Sequence, residues 1–379
     1  MFNKILDYEQ VIEKAQNLCV PFGKLQQCSP IGYTTFNFPI LHYTYGNGKY
    51  HIVISGATHG AEIISTDLVL TLMVQLPRFI NPKVFTIHFI PMLNPEGYLI
   101  CTSAIRKLIP RTASNQYAQP IIKKYIQLYH SRTLEYQKMF ANIDFSCIST
   151  SYKLLRENIK RLYNEYSIPA GTLQVWSSNG NGIDLNQNCP YNNKINSMQS
   201  HTPVFGKGAY SNICATTPGP IGCPCSSKVF KFEPETKCFR NLLLSLRSKY
   251  KLCAYFNYHS AEDTIFYKPI LPSFTKTKYH LSSSYVRYIE KLTEYNKKIA
   301  LLYSSKTSHH LFEGVSTFYC FNDMLRLEVP GDILIELSPC EGNPLSAYAD
   351  NVYGKTIEQN VFAITHTITH LPKLYDLNF

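Results

Sequence analysis

Four stretches of this sequence share one pattern: an apolar run rich in β-branched and aromatic residues that ends abruptly in polar ones. They are YHIVISGAT (50–58), VFTIHFIPM (84–92), KLCAYFNYH (251–259) and DILIELS (332–338). Short continuous apolar runs of this kind suit strands buried on both faces. Between the first two lies AEIISTDLVLTLMVQLP (61–77), which reads as a helix that stops at Leu76, just before Pro77. Strands alternating with helices predict an α/β fold with a mixed, mostly parallel central sheet covered by helices on both faces. In such sheets function collects at the carboxyl ends of the strands.

At 379 residues the chain is expected to form one large domain spanning 1–379. Between 112 and 175 the pattern becomes helical: Ile122, Tyr125, Ile126 and Tyr129 fall at i, i+3, i+4, i+7, and Leu155, Ile159, Leu162 and Tyr166 are similarly spaced. The strand pattern resumes on both sides, so this segment reads as a helical insertion and not as a second domain. Residues 190–235, rich in Asn, Ser, Pro, Gly and Cys, read as a long loop excursion of the kind that usually carries function. Asn94-Pro95-Glu96-Gly97 reads as a turn closing the second strand.

The net charge of +11 favours anionic partners in general, but no dense basic run points to nucleic acid, so none is expected as a partner. The N-terminal MFNKILDYEQVIEKAQNLCV is an amphipathic helix candidate with charges throughout and no apolar signal core. Nowhere do 18 apolar residues run together, so no membrane association is expected and a cytoplasmic location is. The 12 cysteines then read as reduced thiols, and Cys214, Cys223 and Cys225 fit no common zinc spacing. Oligomeric state is not encoded in any pattern the sequence offers.

The sharpest chemical signal is Thr58-His59-Gly60-Ala61-Glu62 at the junction of strand and helix. A histidine and a glutamate three apart can place an imidazole and a carboxylate on one metal ion, and zinc accepts both. The same pair also suits helix capping and the helix dipole. His259 at the end of another apolar strand is a candidate third ligand, and Glu336 is an acid at the edge of DILIELS. A satisfied core histidine and a capped carboxylate are the structural alternatives for these two.

This ordered set resembles a known family, the zinc metallocarboxypeptidases of the carboxypeptidase A type. Along roughly residues 45–345 the chain carries His-x-x-Glu at 59–62, LNPEGY (93–98) similar to the family's NPDGY, and an arginine in TSAIRKLIPR. GIDLNQN (182–188), similar to the family's G-V-D-L-N-R-N, follows, then His259 and Glu336. The resemblance implies a carboxypeptidase-like fold, a peptide substrate and one zinc ion held by His59, Glu62 and His259. It implies Glu336 as the general base and Arg106 as the oxyanion-stabilising cation, with Arg111 the competing candidate. Asn186 and position 187 would hold the substrate's terminal carboxylate, and Tyr319 would cap the substrate. Asp323 resembles the family's structural or specificity aspartate.

One departure stands out. Where the family pattern has arginine, this chain has Gln187. A charge-assisted contact contributes about 1.5–3 kcal/mol against about 0.5–1.5 for a neutral hydrogen bond. Affinity for a free carboxylate should therefore fall about tenfold or more unless another cation, such as Arg326, substitutes. The substrate end could equally be an amide, a D-residue or a cell-wall-type peptide. The sequence thus supports zinc-dependent release of a C-terminal residue as its first reading. Zinc-dependent deacylation of a small amino-acid conjugate and a catalytically inactive binding module are the alternatives.

Overall fold

The computed structural model describes residues 5–19, 25–131, 144–166, 168, 171–188, 232–260, 262–268, 283–312, 329–337, 345–349 and 352–379. The strands among the described residues are β1 (Leu25–Gln27), β2 (Gly32–Tyr33), β3 (Pro39–Ile40), β4 (Tyr43–Tyr45), β5 (Tyr50–Ser55), β6 (Phe85–Ile90), β7 (Lys251–His259), β8 (Thr264–Phe266), β9 (His310–Phe312) and β10 (Asp332–Glu336). The helices among the described residues are α1 (Tyr8–Cys19), α2 (Ile63–Phe79), α3 (Pro95–Leu108), α4 (Asn115–Ser131), α5 (Lys153–Tyr166), α6 (Pro234–Lys249), α7 (Ser283–Ser304), α8 (Ser346–Ala349) and α9 (Tyr353–Asn378).

Eight strands form one sheet in the order β1-β4-β6-β5-β7-β10-β8-β9. The centre is parallel: β6 with β5, β5 with β7, and β7 with β10. The short edge strands add antiparallel pairs at β1–β4, β4–β6 and β8–β10. The four strands read from the sequence are the central ones.

Side chains alternate across this sheet, and both faces are buried. Ile52, Ile54, Ile87, Phe89, Phe256, Tyr258, Ile333 and Ile335 belong to the larger core, together with Leu68 and Leu72 of α2 and Ile364 and Ile368 of α9. Val53, Ile90, Leu252 and Tyr255 face the opposite way, onto Phe239 and Leu243 of α6. Helices therefore cover both faces, as the near-continuous apolar runs require. Buried Asp67 of α2 accepts hydrogen bonds from the hydroxyls of Tyr348 (2.9 Å) and Tyr353 (3.1 Å), which ties that helix to the C-terminal region. No helix among the described residues is long and apolar enough to cross a membrane.

Two local expectations are corrected. Helix α2 does not stop before Pro77 but runs to Phe79. In a last turn a proline forfeits only its own N–H bond, and Ile80 N–H still reaches Leu76 O at 2.9 Å. The Tyr45 hydroxyl donates to the Pro77 and Ile80 carbonyls, at 3.1 and 3.0 Å. Asn94-Pro95-Glu96-Gly97 is likewise no free turn but the start of α3. Asn94 is its N-cap, accepting from Gly97 N–H at 2.9 Å, and Pro95 occupies the first helical position.

On the β4–β5–β6 side three buried imidazoles form a chain. His88 Nδ1 lies 2.9 Å from His42 Nε2, and His88 Nε2 lies 2.9 Å from His51 Nδ1. Burial pushes His42 and His51 down to about 4, and burial plus the two neighbouring imidazoles puts His88 well below its ordinary value. The folded chain keeps these rings neutral while the unfolded chain protonates them near about 6.5. Their contribution is therefore present above about pH 6.5 and is lost as the pH falls toward the folded values. The melting temperature of the wild type should drop further between pH 7 and pH 5 than that of His42→Gln. Equal drops would show that the chain contributes no such dependence.

Candidate active site

Strands β5, β7 and β10 deliver their carboxyl ends to one edge of the sheet, and the candidate ligands sit there. Just past β5, Ala57 adopts a left-handed backbone (φ 48°), a strained conformation for a residue with a Cβ. It is held by its N–H donating to Ser65 Oγ (2.8 Å) and its carbonyl accepting from Asn94 N–H (2.9 Å). This kink turns Thr58 and His59 across the strand end and leaves Glu62 as the N-cap of α2.

His59, Glu62 and His259 converge. One ligand atom from each lies within 4.8 Å of the others, and all three residues are buried. Glu62 sits between the imidazoles, with Oε1 2.9 Å from His59 Nδ1 and Oε2 2.9 Å from His259 Nδ1. Two imidazole nitrogens and a carboxylate around one point are the donor set of a catalytic zinc site, which adds a fourth, open position. The residues present fit that ion. His259 also meets Glu336. The two are Cα partners in the parallel register of β7 and β10, so their side chains leave the same face of the sheet. Glu336 is fully buried beside the cluster.

The opposite nitrogen of His59 is also fixed. Its Nε2 lies 3.1 Å from Asp184 Oδ1 in the GIDLNQN segment. Burial disfavours the imidazolium, but the carboxylates of Glu62 and Asp184 outweigh it and hold His59 up to about 10. The same negative field draws a divalent cation. Asp184 also caps the short 3-10 turn Leu185–Gln187 by accepting from Asn186 N–H at 2.9 Å. The motif pattern assigns this segment to substrate alone and does not single out Asp184, whose contact with His59 is made by the fold. As the acid of a polar cluster in a chain already carrying strand-end histidines, it was the available signal.

Asn186 is fully buried in that turn, and the backbone of Gln187 ends it, while the Gln187 side chain lies outside the described residues. The segment is tethered on its far side. Asn188 Oδ1 accepts from Glu233 N–H (2.8 Å) and the Thr236 hydroxyl (2.5 Å) at the start of α6. Asn179 Nδ2 donates to Glu233 Oε2 (2.9 Å) and Glu235 Oε1 (3.3 Å). Tyr319, Asp323 and Arg326 lie outside the described residues, as does most of 190–235.

The geometry does not bring Arg106 to the cluster. Helix α3 starts at Asn94, whose Nδ2 reaches Thr58 O at 3.2 Å beside the site. Arg106 is twelve residues further on, about 18 Å along a helix axis. There its Nε donates to Asp7 Oδ1 at 2.8 Å and its Nη2 to Ile5 O. Arg111 binds the other oxygen of Asp7 and is exposed. Neither arginine is placed to meet an oxyanion at His59 or His259, because α3 runs unbroken from Pro95 to Leu108 and carries Arg106 to Asp7.

Glycines 60 and 97 allow the site loops to touch. A Cβ at Gly60 would lie 2.1 Å from the carbonyl carbon of Gly97. Overpacking of this kind costs about 1–3 kcal/mol. Gly60→Ala should lower the melting temperature and weaken zinc retention together, because the strain falls one residue from His59. Calorimetry and metal titration of the variant check this, and unchanged zinc retention would refute it.

The sequence model of the family Peptidase_M14, zinc carboxypeptidase, matches residues 25–342. No curated protein matches the chain. Among solved structures, that of thrombin activatable fibrinolysis inhibitor is similar with a TM-score of 0.54 at 14% identity, covering 98% of this chain and 75% of that one. The bovine thrombin-activatable fibrinolysis inhibitor, solved with a tick carboxypeptidase inhibitor, gives 0.53 at 14% identity, covering 98% and 99%. At such identity these likenesses speak for the fold, whereas the sequence match spans most of the chain. The chain belongs to the zinc carboxypeptidase family and is a zinc metallocarboxypeptidase-like hydrolase.

Proposed function

We propose that this protein releases a C-terminal residue from peptides by zinc-dependent hydrolysis, with Glu336 as general base. The observation that carries the reading is the buried His59–Glu62–His259 cluster with Glu336 in register beside His259. Zinc, when bound, lowers the pKa of water toward about 7 and polarises a carbonyl. Glu336 takes the proton of the attacking water and passes it to the leaving amine nitrogen, base and then acid. Asp184 holds the His59 ring through Nε2, which leaves Nδ1 on the Glu62 side, where it would hold the ion. Burial of the carboxylates excludes water that would screen their charge. Asn186 and Gln187 hold the substrate's C-terminal end, with Tyr319 and Arg326 as further contacts. The oxyanion role expected of Arg106 is not part of this reading, since Asp7 engages its guanidinium.

Glu336→Gln should retain zinc and lose about 10²- to 10⁴-fold in peptide hydrolysis. Unchanged turnover would sink the mechanism. Removing the metal with a chelator should abolish hydrolysis, and added zinc should restore it. Because Gln187 is neutral, Gln187→Arg should raise the preference for a free over an amidated C-terminus by about tenfold or more. A panel of free, amidated and D-configured C-terminal peptides reads this ratio, and no change would remove Gln187 from the recognition site.

A further inference from the structure

Helices α7 and α9 lie against each other over the larger core, with Ile299 and Ile368 buried in it, and leave a groove between their outer sides. The two run antiparallel. Lys298 Nζ donates to Asn378 Oδ1 at 3.5 Å near the end of α9, whereas Lys306, just past α7, stands 6.0 Å from the centre of the Phe362 ring. The groove holds about 460 Å³ and is lined by Lys298, Leu301 and Leu302 of α7 and Lys373, Leu374 and Leu377 of α9. On each helix these positions recur one turn apart, so they share one side. Leu302 and Leu374 form a half-buried floor, and Leu301 and Leu377 stand 48% and 74% exposed at the lips. Single exposed leucines are common, but four lining one cleft make a contiguous apolar patch of the kind that marks an interaction site.

The charge around the patch has one sign. Among the described residues no acidic side chain lines the groove. Of the acids nearby, Glu294 lies 3.8 Å from Lys298 Nζ, and Asp376 accepts from Lys251 Nζ at 2.7 Å. Beyond the lysines of the walls, Lys291 stands 5.0 Å from the centre of the exposed Phe379 ring at one end and Lys306 stands over Phe362 at the other. The bond from Lys251, the first residue of β7, also fixes where the groove lies. The end of α9 sits at the amino ends of the central strands, away from the edge that carries His59 and His259.

We propose that this groove docks an amphipathic helix of a partner protein, whose apolar stripe meets the four leucines and whose flanking Asp or Glu residues meet the lysines. A helix enters such a cleft with anchors at i, i+3 or i+4, and i+7, and Lys298 to Ser305 spans about 10 Å, the same two turns. The leucines supply affinity, and the lysines steer the encounter and select the partner's sign. A second copy of this chain is a poorer occupant, because a two-fold contact sets these lysines against themselves on a chain of net charge +11. A lipid surface is flat and leaves the half-buried floor unfilled. The docked helix does not reach the zinc cluster, so the proposal stands independently of the hydrolytic reading.

The test selects displayed helical peptides of about 18 residues, apolar at i, i+3, i+4 and i+7 and randomised at the flanking positions, on the full chain. A Leu301→Glu, Leu377→Glu protein serves for counter-selection. The selected peptides should carry Asp or Glu at the flanks and, by fluorescence anisotropy, bind the wild type about tenfold or more tightly than the leucine variant. Lys298→Glu, Lys373→Glu should lose about tenfold for an acidic peptide and recover it for the same peptide with Lys at the flanks. Peptides enriched in Lys or Arg, no enrichment at all, or binding indifferent to both pairs of substitutions overturn the proposal. So does a wild-type dimer in sedimentation that the leucine variant dissolves, or binding to phosphatidylserine vesicles that it abolishes, since each names a different occupant. Melting confirms that the variants fold, and if the leucine variant does not, the charge-reversed pair decides.

Discussion

The side chain of Asn94 holds together three segments that would otherwise meet only by chance. Its Nδ2 lies 3.2 Å from Thr58 O, 3.4 Å from Ser177 O and 3.1 Å from Ser178 O, while its Oδ1 caps Gly97 N–H. Its own N–H donates to the carbonyl of strained Ala57. One fully buried carboxamide thereby fixes the strand-to-helix junction that carries His59, the start of α3, and the loop that leads to Asp184. Buried polar networks of this kind are worth most when every member is satisfied, because the low dielectric penalises any group left without a partner. The close approach of Gly60 to Gly97 follows from the same clamp.

Around that frame the charges are arranged by burial. Glu62 has two imidazoles on its two oxygens, and His59 has a carboxylate on each nitrogen. A buried carboxylate is tolerated only when it is paired, so this cluster of acids and histidines is stable only around a positive charge. In the metal-free protein that charge is a proton. A zinc ion held by His59, Glu62 and His259 would supply the same positive charge at that point.

How far the sequence was legible depended on the range of the forces involved. Strands β5, β6, β7 and β10 were readable because burial on both faces demands unbroken apolar runs, and their polar ends marked the functional edge. The His59–Glu62 pair was readable because its geometry is local. Other features were set by distant partners. Helix α2 passes Pro77, and its end is tied to the sheet by the Tyr45 hydroxyl of β4, which bonds the Pro77 and Ile80 carbonyls. Arg106 had the right composition around it, but the unbroken α3 carries it to Asp7. Asp184 is 125 residues from His59, and no spacing rule reaches that far.

The sequence by itself determined the four central strands of the sheet, the His59, Glu62 and His259 of the buried cluster together with Glu336 as its candidates, and the neutral character of position 187. Each of these is written in residue type, local period or the order of motifs. Only the tertiary structure decided which strands lie side by side, and hence that Glu336 is in register with His259. It also decided which side chains meet the two histidines, Asp184 at His59 and Asn257 at His259. The physical reason is that hydrogen bonds act over about 3 Å in space and are indifferent to separation along the chain.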